Sequence, residues 1–256
     1  MTTNVNDPRV LTHPYQVKSY EAGPDETISP AVLCRRFQHV ATCHADRHGF
    51  GYHDLIRLRR AWVLARLYMQ IECLPAIDEP MTISTWPSGH DRLTASREFL
   101  IHDAKSAIPV RATSSWVTID MDTRRPVSPA ELIPDDAIPD ISPAAKFPTR
   151  AIPRLKQGDI GFTTTAHGFD LDINNHVNNV RLVEWALEAV PEELRNSRNC
   201  TALDVQFRAE CPLGEEVLSE YAIQKPEQGI IVVLHSLKSR TSDRELVRMK
   251  TWWTAQ

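Results

Sequence analysis

The sequence predicts an α+β protein made of two similar halves, each with one long helix wrapped by a curved antiparallel sheet. Three observations support this fold class. A proline-rich segment divides the 256-residue chain near its middle. Each half contains one stretch with helical periodicity, and each helix is followed by several runs in which apolar and polar residues alternate. One helix followed by strands, occurring twice, is typical of helices that each pack on their own sheet.

The dividing segment is RRPVSPAELIPDDAIPDISPAAKFPTRAIP, which is unusually rich in proline. Proline fixes φ and removes a backbone donor, so neither a long helix nor a central strand is expected there. We predict an N-terminal domain over residues 1–125, a linker over 126–155 with one short helical turn near Pro129–Ile133, and a C-terminal domain over 156–256. Both domains fall within the usual size range.

The first half opens with a predicted helix. Ser29 can cap it, Pro30 suits its first turn, and Gly49 and Gly51 end it. Its apolar stripe comprises Leu33, Phe37, Val40, Ala41 and His44. The run AWVLARLYMQIECLP then predicts a long strand with one apolar face. This face comprises Val63, Ala65, Leu67, Met69, Ile71 and Cys73. Further strands are predicted at MTISTW, SREFLIHD and ATSSWVTID.

The second half repeats this order. A short strand, GFTTTAHGF, precedes a helix in NVRLVEWALEAV, which Pro191 closes. Four strand-like runs follow: TALDVQFRAEC, EEVLSEYAIQ, GIIVVLHSLKS and ELVRMKTWW. Residue identity between the halves is low, so the repeat is one of architecture.

Composition argues against several classes of protein. A net charge of -4 does not suit a surface built for nucleic acid, while a 42% hydrophobic fraction supports a real core. No apolar run is long enough to cross a bilayer, and the N-terminus does not resemble a signal peptide. The five cysteines are scattered without a CxxC pair. We therefore expect a reduced, cytoplasmic protein that has neither nucleic acid nor membrane as a partner.

The ten residues DLDINNHVNN, Asp170 to Asn179, stand where the second helix is expected to begin. Asp and Asn are preferred N-cap residues, but a single one would suffice for capping. A helix N-terminus also stabilises a developing oxyanion, because unpaired N–H groups and the positive end of the dipole meet there. We interpret the stretch as a functional site, with Asn174, Asn175 and His176 at the start of the helix.

A partner for this site is expected in VQFRAECPLG. Strict alternation there places Cys211 on the apolar face towards the helix, within reach of His176, and places Glu210 on the opposite face. A bulge or turn next to Pro212 would direct the side chains of both Glu210 and Cys211 towards the site. From residue types alone, a buried structural thiol and a solvated carboxylate are at least as common as two catalytic groups.

These motifs resemble the acyl-acyl-carrier-protein thioesterases of plant plastids and bacteria. The most specific likeness is DLDINNHVNN before a helix, followed further along the chain by FRAEC on a strand. The likeness extends through roughly residues 15–255 and includes the runs RRAWVLARLYMQIECLP, ISTWPSG and RATSSWVTIDMDTRRP. The resemblance implies two tandem hotdog domains and hydrolysis of fatty acyl thioesters on acyl carrier protein, without a cofactor. A transit peptide is not recognised, so a bacterial, cytoplasmic member is expected.

The resemblance also implies site residues, each matching the family motif in type and local spacing. The hydrolytic set comprises Asp172, Asn174, His176, Glu210 and Cys211. The acyl chain is expected in the N-terminal hotdog. Candidates for the walls of its pocket are Leu33, Phe37, Val63, Leu67 and Met69, for each of which ordinary core packing is the alternative.

Two mechanisms fit the hydrolytic set. In the first, Cys211 attacks as a thiolate, His176 accepts its proton and Asn174 orients the imidazole; a thiol that titrates near ~8.5 needs such help. In the second, Glu210 and His176 activate a water that attacks the thioester directly. Asp172 then holds Asn174 or His176 in place, and amides at the helix start receive the carbonyl oxygen. The second is slightly favoured, because other hotdog thioesterases work that way.

Other functions stay open at this stage. Alternatives are a non-catalytic double hotdog that binds acyl thioesters, an acyl-CoA thioesterase, and a hydratase or dehydratase. A histidine-rich run also raises the question of a metal, but its side chains straddle two helix faces and we expect none. That run holds His39, Cys43, His44, His48 and His53.

Carrier protein is acidic, so a basic docking patch is expected. The available clusters are Arg35/Arg36, Arg57/Arg59/Arg60 and Arg124/Arg125, each of which is more simply a solvated face. Hotdog proteins often pair, and a homodimer is left open.

Overall fold

The computed structural model describes residues 7–105, 107–224 and 227–255. The chain forms two compact units, Met1–Lys146 and Phe147–Gln256. The first unit contains β1 (Leu11–Gln16), α1 (Pro30–Arg47), α2 (Tyr52–Arg57), β2 (Arg60–Ile71), β3 (Pro80–His90), β4 (Thr94–Asp103), β5 (Val110–Asp120) and β6 (Pro126–Val127). The second contains β7 (Asp159–Thr165), α3 (Asn179–Glu188), α4 (Glu192–Ser197), β8 (Arg198–Phe207), β9 (Glu216–Ile223), β10 (Ile231–Ser239) and β11 (Glu245–Ala255).

The two units share one topology. In the first, the strand order is β1-β3-β4-β5-β2, with the short β6 beside β5; in the second it is β7-β9-β10-β11-β8, read in the same sense. Neighbouring strands within each unit are antiparallel. The long helix of each unit follows the first strand and packs on the sheet. Both units are hotdog folds, and the predicted α+β class is confirmed.

Helix α1 forms where the sequence predicts it. The Ser29 hydroxyl accepts a hydrogen bond from the Val32 N–H at 3.2 Å, which caps the helix. The whole predicted stripe is buried. Phe37 stacks on Phe99 of β4, with ring centroids 4.7 Å apart. Burial of this stripe supplies most of the free energy that fixes the helix on its sheet, since isolated helices of this length are marginal in water.

The predicted apolar face of β2 is only partly right. The pairing register of β2 with β5 shifts between Leu64 and Arg66, which marks a β-bulge. A bulge adds one residue and reverses the alternation of side chains beyond it. Leu67 and Met69 are therefore buried, whereas Val63 is 38% exposed and Leu64 takes the buried position. Val63 does not share a face with Leu67 and Met69, contrary to the prediction.

The proline-rich segment packs on the first unit for much of its length. The predicted helical turn is present as a 3-10 turn over Pro129–Glu131. Ile133 and Ala137 join an apolar cluster of the first unit, and the buried Glu98 carboxylate accepts the Ala144 N–H at 3.0 Å. The structure thus assigns residues up to Lys146 to the first unit, where the sequence suggests a linker over 126–155.

The histidine-rich run is structural where it meets the core. His44 is fully buried. Its Nε2–H donates to the Arg9 carbonyl at 3.0 Å, and its Nδ1 accepts from Arg97 at 3.4 Å. Within the described ranges, no group of three or more His, Cys, Asp or Glu residues is arranged to hold a metal ion. No helix in the described part of the chain is long and apolar enough to cross a membrane.

A second buried histidine, His235 on β10, connects the sheet of the second unit to α3. Its Nδ1–H donates to the Ala186 carbonyl at 3.0 Å, and its Nε2 accepts from the Thr251 hydroxyl at 2.9 Å. Nε2 can accept the Thr251 bond only while the imidazole is neutral. Burial lowers the pKa of His235 to about 3.

We predict that His235 makes the protein sensitive to mild acid. The unfolded chain takes up a proton near pH 6.5 and the folded chain only near pH 3, so stability falls as pH drops through this window. The loss from this group is about 2 kcal/mol by pH 5. In urea unfolding at pH 7 and pH 5, His235→Gln should show a smaller difference than wild type. The exposed His53→Gln is the control, and equal pH slopes for all three proteins would contradict the prediction.

Candidate active site

The Asn-rich stretch forms a tight loop in the second unit, before α3. Because residues 171–177 hold the predicted hydrolytic residues Asp172, Asn174 and His176, we call them the catalytic loop. The Asp172 N–H donates to the His176 carbonyl at 2.8 Å, and the Asn175 N–H donates to the Asp172 carbonyl at 3.0 Å. Asn175 adopts a φ of 59°, in the left-handed region that asparagine tolerates better than most residues. The stretch is rich in Asn partly because this turn needs it.

Helix α3 begins at the first residue of the predicted run NVRLVEWALEAV. Its first residue is Asn179, and the Asn178 side chain caps it by accepting the Val180 N–H at 2.8 Å. The expectation that Asn174 and His176 lie at the helix start is therefore wrong, since both belong to the turn that precedes it. A single Asn does the capping, which leaves the others available for other roles.

The strand that carries the second half of the site ends in a bulge. The N–H groups of Arg208 and Ala209 both donate to the Leu246 carbonyl, at 2.9 and 3.3 Å. Two residues thus oppose one, which reverses the alternation that the sequence pattern assumes. Because the alternation of side chains is reversed, Glu210 lies on the side of the catalytic loop. The bulge that was expected next to Pro212 therefore occurs a few residues earlier in the chain.

Two backbone contacts join the catalytic loop to this strand end. The Val177 N–H donates to the Cys211 carbonyl at 2.8 Å, and His176 and Pro212 form an isolated β-bridge. As a result His176 Nε2 lies 3.3 Å from Glu210 Oε2. Both side chains are partly exposed, at 30% and 47%. A carboxylate and an imidazole 3.3 Å apart and open to water are the groups that general acid–base catalysis needs.

Cys211 has a different environment from its neighbour. Its side chain is fully buried, and its thiol contacts the Pro212 carbonyl at 4.0 Å. Burial, followed by the nearby carboxylates of Glu215 and Asp170, raises the pKa of the Cys211 thiol to about 12. The His176 imidazole pairs with Glu210, and the expectation that it lies within reach of Cys211 stays a prediction.

Asp172 and Asn174 complete the predicted set. The Asp172 carboxylate accepts the backbone N–H of Asn174 at 2.8 Å, which fixes the turn from inside. Asn174 itself is exposed, and its side-chain amide has no hydrogen-bond partner in the described part of the chain. The structure therefore brings all five predicted hydrolytic residues together, on one loop and one strand end.

The predicted walls of the acyl pocket lie in the first unit. Leu33, Phe37, Leu67 and Met69 are buried there, and Val63 is partly exposed. Core packing of α1 on its sheet accounts for the four buried side chains.

Sequence reasoning missed three residues that border the site. Asp170 and Glu215 lie close enough to Cys211 to oppose its ionisation. Arg244 donates to the Glu210 carbonyl at 3.0 Å and so holds the backbone at that position. Only Asp170 carries a local signal, as the acidic residue that opens the Asn-rich stretch; the other two are brought in by tertiary structure.

Comparison with known proteins identifies the family of the chain. Residues 8–138 match the family model of the acyl-ACP thioesterase N-terminal domain, and residues 162–255 match that of the C-terminal domain. The oleoyl-acyl carrier protein thioesterase 2 of Arabidopsis thaliana chloroplasts is 28% identical over 247 residues, covering 89% of this chain and 67% of that protein. The chain spans 58% to 67% of the length of such curated relatives.

Solved structures give the same result. An acyl-ACP thioesterase from Bacteroides thetaiotaomicron superposes with a TM-score of 0.86 at 25% identity, covering 99% of this chain and 100% of that one. The 12:0-ACP thioesterase from Umbellularia californica has a TM-score of 0.85 at 25% identity, covering 97% and 95%. Family models that together match most of the chain, and these two structures over nearly all of it, show that the chain belongs to the acyl-ACP thioesterase family.

Proposed function

We propose that the protein hydrolyses the thioester of fatty acyl-acyl carrier protein, releasing a free fatty acid and the carrier thiol and so ending chain elongation. The observation that supports this most is the 3.3 Å contact between His176 and Glu210 at a solvent-accessible position. Relatives named for oleoyl- and 12:0-acyl carrier substrates give the substrate class. A double hotdog that only binds acyl thioesters has no need for such a pair.

Water is the nucleophile in this proposal. Glu210 and His176 together take a proton from a water molecule as its oxygen bonds to the thioester carbonyl carbon. The tetrahedral intermediate then expels the sulfur, which receives that proton from His176. The C–S bond is replaced by a C–O bond, so one water gives one carboxylic acid and one thiol. Thioesters are reactive enough for this route without an acyl-enzyme.

The environment of Cys211 argues against its role as the nucleophile. A nucleophilic cysteine reacts as the thiolate and is found near cations or helix N-termini, which lower its pKa. Cys211 is buried, and its burial together with the Glu215 and Asp170 carboxylates outweighs the nearby Arg244 cation, so that its pKa is about 12. At neutral pH its thiol stays protonated. We assign it a packing role beneath the His176–Glu210 pair.

Asn174 is the best candidate to receive the developing oxyanion. The backbone N–H groups of Asn178 and Val180 are already bonded, to the Asp170 carbonyl and to the Asn178 side chain. These two amides near the helix start are therefore not available to substrate. The Asn174 side-chain amide is exposed, and Asp172 holds its backbone. An amide N–H directed at the carbonyl oxygen would stabilise negative charge there.

Several arginines of the clusters considered for docking of the carrier protein form ion pairs within the chain. Arg57 pairs with Asp54, Arg59 with Asp122 and Arg60 with Asp120. Arg36 pairs with Glu21. These internal ion pairs offset much of the positive charge available to an acidic partner. We keep acyl carrier protein as the proposed carrier because of the relatives, with coenzyme A as the alternative.

We predict that Glu210→Gln lowers kcat on acyl-carrier thioesters by about 100-fold or more, because the amide cannot accept the proton of water. Turnover is measured as thiol release over a series of chain lengths, on carrier protein and on coenzyme A. Glu216→Gln, which removes an exposed carboxylate paired with Arg240 in the same unit, is the control and should keep wild-type rates. No thiol release by wild type on any substrate would reject the hydrolase proposal.

We predict that Cys211→Ala retains measurable activity. Removing a buried thiol costs packing energy of about 1 kcal/mol, without removing a group that touches the substrate. Cys200→Ala is a matched control, since Cys200 is also buried in the second unit and its pKa is also raised to about 12. Complete loss of activity in Cys211→Ala alone, with an acyl-enzyme trapped in wild type, would favour the nucleophilic mechanism.

We predict that Cys211 resists alkylation in the native protein at pH 7.5, because neither access nor a thiolate is available. Iodoacetamide followed by peptide mass spectrometry should label the exposed Cys73 first and leave Cys211 and Cys200 unmodified until the protein unfolds. Rapid labelling of Cys211, with loss of activity at the same rate, would contradict its assignment as a protonated buried thiol.

A further inference from the structure

The catalytic loop has a counterpart in the first unit. There the Gly23 N–H donates to the Thr27 carbonyl at 2.9 Å, and the Glu26 N–H donates to the Gly23 carbonyl at 3.0 Å. Glu26 has a φ of 61°. The catalytic loop contains the same two hydrogen bonds, and its Asn175 has a φ of 59°. The counterpart also bonds to a strand end, through the Ile28 N–H and the Pro75 carbonyl at 2.9 Å.

The counterpart loop lacks the hydrolytic side chains. Gly23, Asp25 and Thr27 occupy the positions of Asp172, Asn174 and His176, and Leu74 and Pro75 those of Glu210 and Cys211. The backbone turn therefore forms without the catalytic set. A comparison of the two loops separates the residues that the turn needs from those that the chemistry needs.

An acidic residue at the start of the loop is common to both units. The Asp170 carboxylate accepts the His167 N–H at 2.8 Å, and the Glu21 carboxylate accepts the Lys18 N–H at 3.1 Å. Each carboxylate also pairs with an arginine of the following helix. Asp170 Oδ1 lies 3.4 Å from Arg181 Nε, whose guanidinium also pairs with Glu184 at 2.8 Å, and Glu21 pairs with Arg36. Both acidic side chains are largely buried.

Asp170 has a further contact that closes the catalytic loop. Its backbone carbonyl accepts the Asn178 N–H at 2.8 Å, so the two ends of the loop meet at this residue. Arg181 lies in the first turn of α3, where the helix dipole disfavours a cation. The Asp170 carboxylate offsets that cost and, through Arg181, connects the loop to the helix. The loop is thereby held against the element behind it.

We propose that Asp170 is a positioning residue for hydrolysis, with Arg181 as its partner; the proposal rests on the hydrolytic function proposed above. Asp170 touches neither substrate nor reacting atoms. It fixes the loop so that His176 stays 3.3 Å from Glu210. Displacements of about 1 Å in such a pair lower rates strongly, while leaving binding of a long acyl chain nearly unchanged.

The test compares Asp170→Asn with Glu21→Gln, which makes the same chemical change in the loop without catalytic groups. We expect Asp170→Asn to lower kcat about tenfold, with KM within about twofold of wild type. Glu21→Gln should keep kcat within about twofold. Both should lower Tm by a similar few degrees, about 2–4 °C. Asp170→Glu should recover most of the rate, because Glu21 makes the equivalent hydrogen bond in the first unit.

A second variant covers the case in which Asp170→Asn does not fold. Arg181→Met removes the ion pair and keeps the bond from His167 to Asp170, and we expect it to lower kcat about threefold. Wild-type kcat in Asp170→Asn, or in Arg181→Met if that is the only folded variant, would overturn the proposal. An equal loss of kcat in Glu21→Gln would also overturn it, by showing a general effect on stability. Failure of the proposed function is seen separately, as the absence of thiol release by wild type.

Discussion

Two backbone contacts between the catalytic loop and the end of β8 determine the geometry of the site. The Val177 N–H bonds to the Cys211 carbonyl, and His176 bridges to Pro212. These contacts use main-chain atoms, so they set the separation of neighbouring side chains whatever those side chains are. With this backbone frame in place, the His176 imidazole lies beside the Glu210 carboxylate, and the thiol of Cys211 is buried in the interior.

The frame explains why adjacent residues acquire different chemistry. Glu210 remains open to water beside an imidazole, whereas Cys211 is buried near two carboxylates. Desolvation and nearby negative charges both disfavour a thiolate at Cys211. Solvent access lets the Glu210 carboxylate exchange protons with water. The preference for an activated water over a nucleophilic cysteine therefore follows from environment, since the sequence permits either group.

The first unit shows that this backbone frame forms without the predicted hydrolytic side chains. The same turn and the same bond to a strand end occur there with Gly23 and Thr27 in place of Asp172 and His176. An architectural repeat was predicted from the order of helix and strands. The repeat of the loop was not predicted, because Gly23 and Asp172 are different residue types and the two loops are alike only in their backbone hydrogen bonds.

Periodicity predicted the helices and strands that build the fold, and the stripe from Leu33 to His44 is buried as expected. It failed where a single residue is inserted. The bulge after Leu64 exposes Val63, and the bulge at Arg208 brings Glu210 to the loop. Bulges depend on local hydrogen bonding, so the alternation of apolar and polar residues in a sequence does not reveal them. The short elements β1, α2 and α4 were also missed, because their burial patterns are too brief to show a period.

The placement of Asn174 and His176 at the start of α3 was wrong for a related reason. Asn and Asp favour both N-caps and turns, so their number alone does not locate the first helical residue. The residues of the site were nonetheless predictable, because the motif fixes their types, while contacts such as Arg244 with Glu210 depend on strands distant in sequence.

The central claim is that His176 and Glu210 act as one unit, and a double-mutant cycle tests it most directly. The kcat of His176→Gln, Glu210→Gln and the double variant would be measured on one acyl-carrier thioester. Groups that act together show strongly non-additive losses. We expect the double variant to be about as slow as the slower single variant. Losses that multiply would show independent roles and contradict the account.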